Sequence, residues 1–265
     1  MEDADRLTES AANALLKAIE EPGARTVWLL CAPTLHDILP TIRSRCRHLQ
    51  LRTPSNEAVA QYLIINEGVS PKMAEFAARV AQGHVGKARH LATNEAVRSR
   101  RNTILHIPNT INSIATAYLA AQKVVEIAKD EAEAISEALD EKELKELQAA
   151  WGQSQNSKMA TGGAKAVKEL EKEQKSRSTR ITRDTLDGAL LDLATYYRDI
   201  ALVQAGHSQT MINEDLAESI MQNAERIPPA KTLKKLDAIM QAREALQRNG
   251  APLLTMEALM CELAK

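Results

Sequence analysis

The sequence predicts a mainly α protein with a small α/β part near its start. Hydrophobic residues make up 44% of the 265 residues, and many of them are Ala and Leu, which favour helix. Ten Gly and nine Pro are few for this length, which disfavours a β-sandwich or barrel with its many turns. Patterns typical of strands occur only within the first 52 residues. At roughly 150 residues per domain, the length predicts about two domains.

The first predicted element is a helix over residues 8–21. Apolar residues recur there every three or four positions, which is the period of a helix with one buried face. Thr8 or Ser10 can cap its first turn through a side-chain oxygen. The helix is expected to end at Pro22-Gly23.

Two predicted strands and a short helix follow. The run at 26–32 is almost entirely apolar, which is typical of a strand buried on both faces in a parallel sheet. A short helix is expected at 35–43. The alternation of polar and apolar residues at 47–52 is typical of a half-exposed strand.

Three short helices are predicted after Pro54, and they can form a small bundle of their own. Ser55 and Ser70 are good N-cap residues, and a proline follows Ser70 at the first helical position. Gly68 and Gly83 are suited to ending the first two helices. The predicted ranges are 55–66, 71–82 and 87–92.

The remainder of the chain is predicted to be helical and contains a segment with separated charges. Residues 129–146 carry a net charge of −5 and residues 158–180 a net charge of +4. A turn-rich stretch, 152–163, lies between them. Two solvated helical arms or a disordered charged insertion both fit this pattern. Four amphipathic helices are expected afterwards, at about 181–206, 213–227, 230–248 and 253–264.

Composition disfavours several classes of protein. With 34 basic and 35 acidic residues, the chain does not resemble a basic DNA-coating protein, and 3% aromatic residues disfavour a platform that stacks single strands. No apolar run reaches the roughly 18 residues of a membrane span. Three separated cysteines and six histidines show no metal-ligand spacing, so no metal site is expected. These features favour a soluble, cytoplasmic protein.

A series of motifs in the first 46 residues carries a family resemblance. An acidic pair, the sequence NALLK, the sequence EEP, an apolar strand pattern and the triplet SRC follow in that order. In this order they resemble the clamp-loader ATPases of the AAA+ superfamily, and more narrowly a class of bacterial DNA polymerase III subunits that does not hydrolyse ATP. The motifs are Glu2-Asp3, Asn13 to Lys17, Glu20-Glu21-Pro22 and Ser44-Arg45-Cys46.

The resemblance implies three regions. Residues 1–52 would be the C-terminal part of a RecA-like AAA+ core, and residues 53–95 its three-helix lid. Residues 96–265 would be a helical collar, or oligomerisation domain, with a charged insertion at about 129–180. The apolar stripe of the collar would be partly core and partly subunit contact, although a purely internal core fits the spacing equally well. Its residues are Leu236, Ile239, Met240, Arg243 and Leu246.

The triplet Ser44-Arg45-Cys46 is the strongest functional match. By the resemblance, Arg45 is an arginine finger that reaches the nucleotide of a neighbouring subunit. A guanidinium is always charged, and its fork of donors fits phosphate oxygens. Ser44 and Cys46 would fix the local turn and its packing. The alternative is a surface arginine engaged in a salt bridge.

The other nucleotide-site positions depart from the pattern of an active ATPase. Glu2 and Asp3 match the Walker B position but in reversed order. The alternative is a pair of acids that precede a helix and are favoured by its dipole. Ala32-Pro33 falls where the family usually has the polar residue of sensor 1. Neither of these side chains can donate a hydrogen bond. At the sensor 2 position Gly86 replaces the usual arginine, and Lys87 follows it. These departures predict that the chain does not hydrolyse ATP.

No phosphate-binding loop of the form GxxxxGK[ST] occurs in the sequence. In the family that loop lies upstream of Walker B, so the resemblance implies that this chain lacks most of the nucleotide-binding subdomain. We therefore expect that it binds no cofactor itself and acts on the ATP–Mg of a neighbouring subunit.

The resemblance implies a role in DNA replication. The chain would be a non-hydrolysing subunit of the DNA polymerase III holoenzyme that helps to load the sliding clamp. Its partners would be the gamma/tau and delta subunits in a hetero-pentameric ring, with the clamp and primed DNA reached through the complex. Modest contact with DNA phosphates would come from residues such as Lys87 and Arg89. The alternatives are a truncated gamma/tau-like ATPase and a helical adaptor that works through the charged arms.

Overall fold

A computed structural model describes residues 1, 4, 7–32, 34–150 and 163–265 of the chain. The described residues form eleven α-helices, so the prediction of a mainly α protein is confirmed. The helices are α1 (Glu9–Glu20), α2 (Pro40–Arg43), α3 (Asn56–Glu67), α4 (Pro71–Ala81), α5 (Val85–Thr93), α6 (Glu95–Thr110), α7 (Ile114–Ala150), α8 (Gly163–Gln204), α9 (Ala217–Arg226), α10 (Pro229–Gln247) and α11 (Pro252–Leu263). Short 3-10 turns in the described residues include Leu35–Asp37, Ser208–Thr210 and Glu214–Leu216.

The first predicted strand, 26–32, is not a strand within the described part of the chain. Its backbone bonds to the start of the chain: Met1 N donates to Leu29 O at 2.7 Å, Cys31 N donates to Met1 O at 2.9 Å, and Ala4 N donates to Cys31 O at 2.9 Å. A ladder requires a neighbouring strand along its length, and an apolar run in the sequence does not supply one. Among the described residues, these bonds do not extend into a sheet.

The second predicted strand, 47–52, is likewise extended without a ladder partner among the described residues. Its two apolar side chains, Leu49 and Leu51, are each 85% exposed. All six residues of the segment are exposed, so no described element covers its apolar side chains. The prediction of a small α/β part is therefore not supported by the described residues.

The chain divides into two compact units, Met1–Thr53 and Pro54–Lys265. The first unit contains α1 and α2 with a small core, and the second contains the remaining nine described helices. No helix in the described ranges is both long and apolar enough to cross a bilayer.

Two hydrophobic clusters stabilise the second unit. Helices α3 to α5 enclose the smaller cluster, in which Leu63 and Leu91 are fully buried. Helices α6 to α11 enclose the larger one, where the rings of Tyr196 and Tyr197 pack edge to face with centroids 5.7 Å apart. Ile212, in the segment between α8 and α9, belongs to the smaller cluster. This residue therefore connects the two clusters.

The charged segment forms helix in its described parts. Helix α7 contains the acidic residues and α8 the basic ones, and the two helices pack along each other. The Arg177 guanidinium binds both Asp140 and Glu143, and this contact lowers the pKa of Glu143. The helical-arm alternative thus holds where the chain is described. Most of the turn-rich stretch, 152–162, lies outside the described residues.

The predicted collar stripe on α10 is partly buried and partly exposed. Ile239 and Leu246 lie in the larger core, whereas Met240 is 51% exposed. Arg243 forms a bidentate ion pair with Asp187 of α8, at 2.7 and 2.9 Å. A purely internal stripe is therefore excluded, because Met240 faces solvent in this chain.

Alanine substitutions at two glycines of the second unit are expected to change its stability in opposite directions. A Cβ atom on Gly250, in the turn before α11, would lie 2.7 Å from the carbonyl oxygen of Ala245. A Cβ atom on Gly188, inside α8, would meet nothing within 4 Å. We expect Gly250→Ala to lower the free energy of unfolding by about 1–3 kcal/mol, because backbone must move. We expect Gly188→Ala to raise it by about 0.5–1 kcal/mol through helix propensity.

Urea denaturation of the two glycine variants and the wild-type chain measures both changes. The two substitutions add the same methyl group, so each serves as a control for the other. Equal effects of the two substitutions would show that the close approach at Gly250 does not constrain the turn.

Candidate functional site

The first unit is a small scaffold built on α1 and α2. Helix α1 begins after Thr8, whose hydroxyl accepts a hydrogen bond from Ala11 N at 3.2 Å. Its buried residues, Ala12 and Ile19, pack with Ile42 of α2 in one cluster. This packing holds the last turn of α1 close to the residues that follow α2.

The turn after α2 is fixed by hydrogen bonds and by a packed cysteine. The Ser44 hydroxyl donates to Thr41 O at 3.1 Å, and Arg45 N donates to Ile42 O at 3.0 Å. Cys46 is half-buried against the hydrophobic cluster of this unit. The backbone on both sides of Arg45 is therefore anchored.

The Arg45 guanidinium is held through two of its three nitrogens. Its Nε donates to Glu20 Oε1, at the end of α1. Its Nη1 donates to Thr41 O at 2.9 Å and lies 3.3 Å from the Ser44 hydroxyl. The side chains of Arg45 and Glu20 are 38% and 45% exposed, respectively. Nη2 makes no hydrogen bond with any other described residue.

This arrangement is compatible with both interpretations of Arg45, and the arginine-finger role stays a prediction. The residue forms a salt bridge, as the simpler interpretation requires, and the guanidinium is also accessible to solvent. The two N–H groups of Nη2 remain available to an anionic oxygen, while the rest of the fork is already oriented. Such a donor binds a phosphate at little further conformational cost.

The Walker B and sensor 1 candidates belong to the first 33 residues of the chain. Glu2 and Asp3 lie outside the described residues, as does Pro33 of the sensor 1 position. Ala32 is described and is half-buried.

The sensor 2 candidates lie at the start of α5, in the second unit. The ring of His84 caps this helix by accepting a hydrogen bond from Lys87 N at 3.0 Å, and a Cβ atom on Gly86 would lie 3.3 Å from that ring. The Lys87 amine forms an ion pair with Asp192 of α8 at 2.9 Å. Arg89, which the sequence singled out for DNA contact, pairs with Glu67 at 2.8 Å. Both cations are therefore engaged by carboxylates of their own unit.

The structure thus brings Ser44, Arg45 and Cys46 together in the first unit, and Gly86 with Lys87 in the second. Sequence analysis missed the acidic partners of these cations. Glu20 belongs to the EEP motif, so the family resemblance marks its position but not its role. Asp192 has no motif, and no sequence signal identifies it as the partner of Lys87.

Comparisons with known families match both ends of the chain. Residues 1–55 match the family described as DNA polymerase III, delta subunit. Residues 181–263 match the family described as DNA polymerase III, delta subunit, C terminal. The first match coincides closely with the first compact unit, and the second covers the later part of α8 and helices α9 to α11.

Individual relatives agree with these matches. The DNA polymerase III subunit delta' of Haemophilus influenzae is 46% identical over 63 residues, which is 24% of this chain and 19% of that protein. The subunit delta' of Bacillus subtilis is 26% identical over 246 residues, 93% of this chain and 59% of that protein. The DNA polymerase III subunit gamma of Buchnera aphidicola is 28% identical over 135 residues, 46% of this chain and 37% of that protein. The chain therefore spans less than two thirds of the length of these relatives.

Proposed function

Because the chain is homologous to the delta' subunits of DNA polymerase III, we propose that it is a non-hydrolysing clamp-loader subunit of that polymerase. In this role it occupies one position in a hetero-oligomeric ring and helps to place the sliding clamp on primed DNA. It contributes Arg45 to the nucleotide site of the adjacent subunit and carries out no chemistry at a site of its own.

The observation that carries this proposal is the geometry of Arg45. Its guanidinium is partly exposed in the unit that matches the family, with Nε bonded to Glu20, Nη1 bonded to Thr41 and no described partner on Nη2. Negative charge spreads over the γ-phosphate oxygens during hydrolysis, and an oriented guanidinium from a neighbour stabilises it. Arg45 is therefore suited to act in trans.

The proposed partners are the gamma/tau and delta subunits, and the proposed cofactor is the ATP–Mg of a neighbour. The sequence contains no GxxxxGK[ST] loop, which is the element that cradles the phosphates in P-loop ATPases. At sensor 2, Lys87 is engaged by Asp192, which neutralises the cation nearest to that position. The engagement of Lys87 supports a subunit that does not hydrolyse ATP itself.

Reconstitution tests this proposal. The 265-residue chain is mixed with the gamma/tau and delta subunits, and the mixture is analysed by size-exclusion chromatography and ATPase assay. We expect co-elution in one complex, ATP turnover that rises when the chain is present, and no Mg²⁺-dependent ATP binding by the chain alone in calorimetry. Failure to co-elute, or tight ATP binding by the isolated chain, would contradict the proposal.

A second candidate function is that of a helical adaptor acting through α7 and α8. The ion pairs of Arg177 with Asp140 and Glu143 hold these long helices together beyond the main core, which favours an ordered arm. Replacing the arm with a short turn distinguishes the two functions. An adaptor loses ring assembly without the arm, whereas an arginine-finger subunit retains both assembly and stimulated hydrolysis.

A further inference from the structure

We infer that Glu20 is a positioning residue for Arg45: it orients the guanidinium through Nε so that Nη2 faces an incoming phosphate. This inference rests on the proposed function of Arg45 and assigns the neighbouring motif residue a role that depends on it. Glu20 would set the orientation of the Arg45 guanidinium, whereas the finger itself is Arg45.

The first support is the distribution of donors on the guanidinium. An arginine offers five N–H groups, one on Nε and two on each terminal nitrogen. Glu20 takes the Nε–H, and Thr41 O takes an N–H of Nη1. No described residue takes the N–H groups of Nη2. The contacts therefore fix the plane of the group through two of its three nitrogens, and Nη2, which lies between them, takes no described partner.

The second support is the rigidity of the residue that carries the carboxylate. Glu20 is the last residue of α1, directly after the buried Ile19. Two residues earlier, the carbonyl oxygen of Ala18 accepts a hydrogen bond from Nε1 of the Trp28 ring at 3.0 Å. Because this end of α1 is held by the core and by Trp28, the carboxylate is a fixed reference point for Arg45.

The third support is the exposure of the pair. Both side chains lie partly in water, at 38% and 45% exposure, and an exposed ion pair adds little to the stability of a fold. The value of such a contact lies instead in reducing the number of orientations of the guanidinium. Alignment of a catalytic group before the reaction lowers the activation free energy, because the group need not lose conformational entropy in reaching the transition state.

The test compares variants of Glu20 in the reconstituted complex, with hydrolysis followed at the nucleotide site next to Arg45. We expect Glu20→Ala to lower kcat by about 10-fold to 10²-fold, with KM for ATP and ring assembly unchanged. Glu20→Gln keeps an oxygen acceptor for Nε, so it should restore most of kcat. Glu21→Gln is the matched control, because this adjacent exposed side chain makes no contact with Arg45 within the described residues.

A double variant separates this inference from the proposed function. In the Arg45→Ala background, Glu20→Ala should cause no further loss, because a positioning residue acts only through the group it orients. If Arg45→Ala impairs hydrolysis but Glu20→Ala does not, the positioning role is wrong and the finger remains. An equal loss in both backgrounds would show a general structural role. If Arg45→Ala itself has no effect, both the finger and its positioning residue are wrong.

Discussion

Replacing Arg45 with alanine is expected to lower ATP hydrolysis at the neighbouring nucleotide site by about 10³-fold or more. The guanidinium stabilises charge that develops on the γ-phosphate oxygens, and alanine supplies no donor. Arg45→Lys should remain strongly impaired, because an ammonium lacks the planar fork that Glu20 and Thr41 orient. The loss should appear in kcat, while ring assembly and ATP binding by the partner are retained.

The measurement requires that a single site be observed. In a reconstituted complex whose other nucleotide sites carry inactivating substitutions of the phosphate-loop lysine, all turnover comes from the site next to this chain. Arg25→Ala is the matched control, because Arg25 is an exposed arginine of the same unit without a hydrogen bond or ion pair to another described residue. Normal turnover with Arg45→Ala would remove the arginine-finger role.

Replacing Asp199 with alanine is expected to destabilise the second unit by about 3–5 kcal/mol. The Asp199 carboxylate is fully buried on α8. It accepts hydrogen bonds from Ile212 N at 3.0 Å and from both Asn213 N and Asn213 Nδ2 at 2.8 Å. Without the carboxylate these donors stay buried without their acceptor, and the segment that carries Ile212 loses its attachment to α8.

The effect should extend beyond this segment, because it lies between the two hydrophobic clusters. Ile212 packs in the cluster of α3 to α5, and its carbonyl oxygen accepts from Arg79 Nε at 3.1 Å. Asn213 also accepts a hydrogen bond from the buried Arg101 of α6. Asp199 therefore helps to join α3–α5 to the rest of the unit.

Thermal unfolding and hydrogen exchange test this prediction. A loss of this size should lower Tm by roughly 10 °C for a unit of this length. The amide protons of Ile212 and Asn213 should exchange faster, since their acceptor is gone. Asp237→Ala, an exposed carboxylate on α10, is the control and should leave both measurements unchanged. Unchanged exchange in Asp199→Ala would show that packing alone holds the segment.

The sequence predicted local features of the helices well. Ser55 and Ser70 were expected to cap two helices, and their hydroxyls accept from Ala58 N at 3.2 Å and Met73 N at 3.4 Å. Gly68 was expected to end the first of them, and it has φ = 65°. Caps and helix ends depend on residues within one or two turns of each other, so the sequence contains the information they need.

The strand predictions failed for a different reason. The apolar run at 26–32 and the alternation at 47–52 have the composition of strands, but neither has a ladder partner among the described residues. Strand formation depends on a second segment and not only on the residues of the strand. A pattern can therefore identify a segment suited to a sheet without determining whether a sheet forms.

In the candidate site, too, some features depend on neighbouring residues and others on segments that are distant in the sequence. The sequence by itself determined the mainly helical class, the ends of most helices, and Arg45 as the residue to test. Only the tertiary structure decided that Glu20, 25 positions away, holds Arg45, and that Asp192, 105 positions from Lys87, holds its amine. The physical reason is range: helix caps and periods arise within a few residues, whereas these ion pairs form only after buried side chains such as Ile19 and Ile42 bring distant segments together.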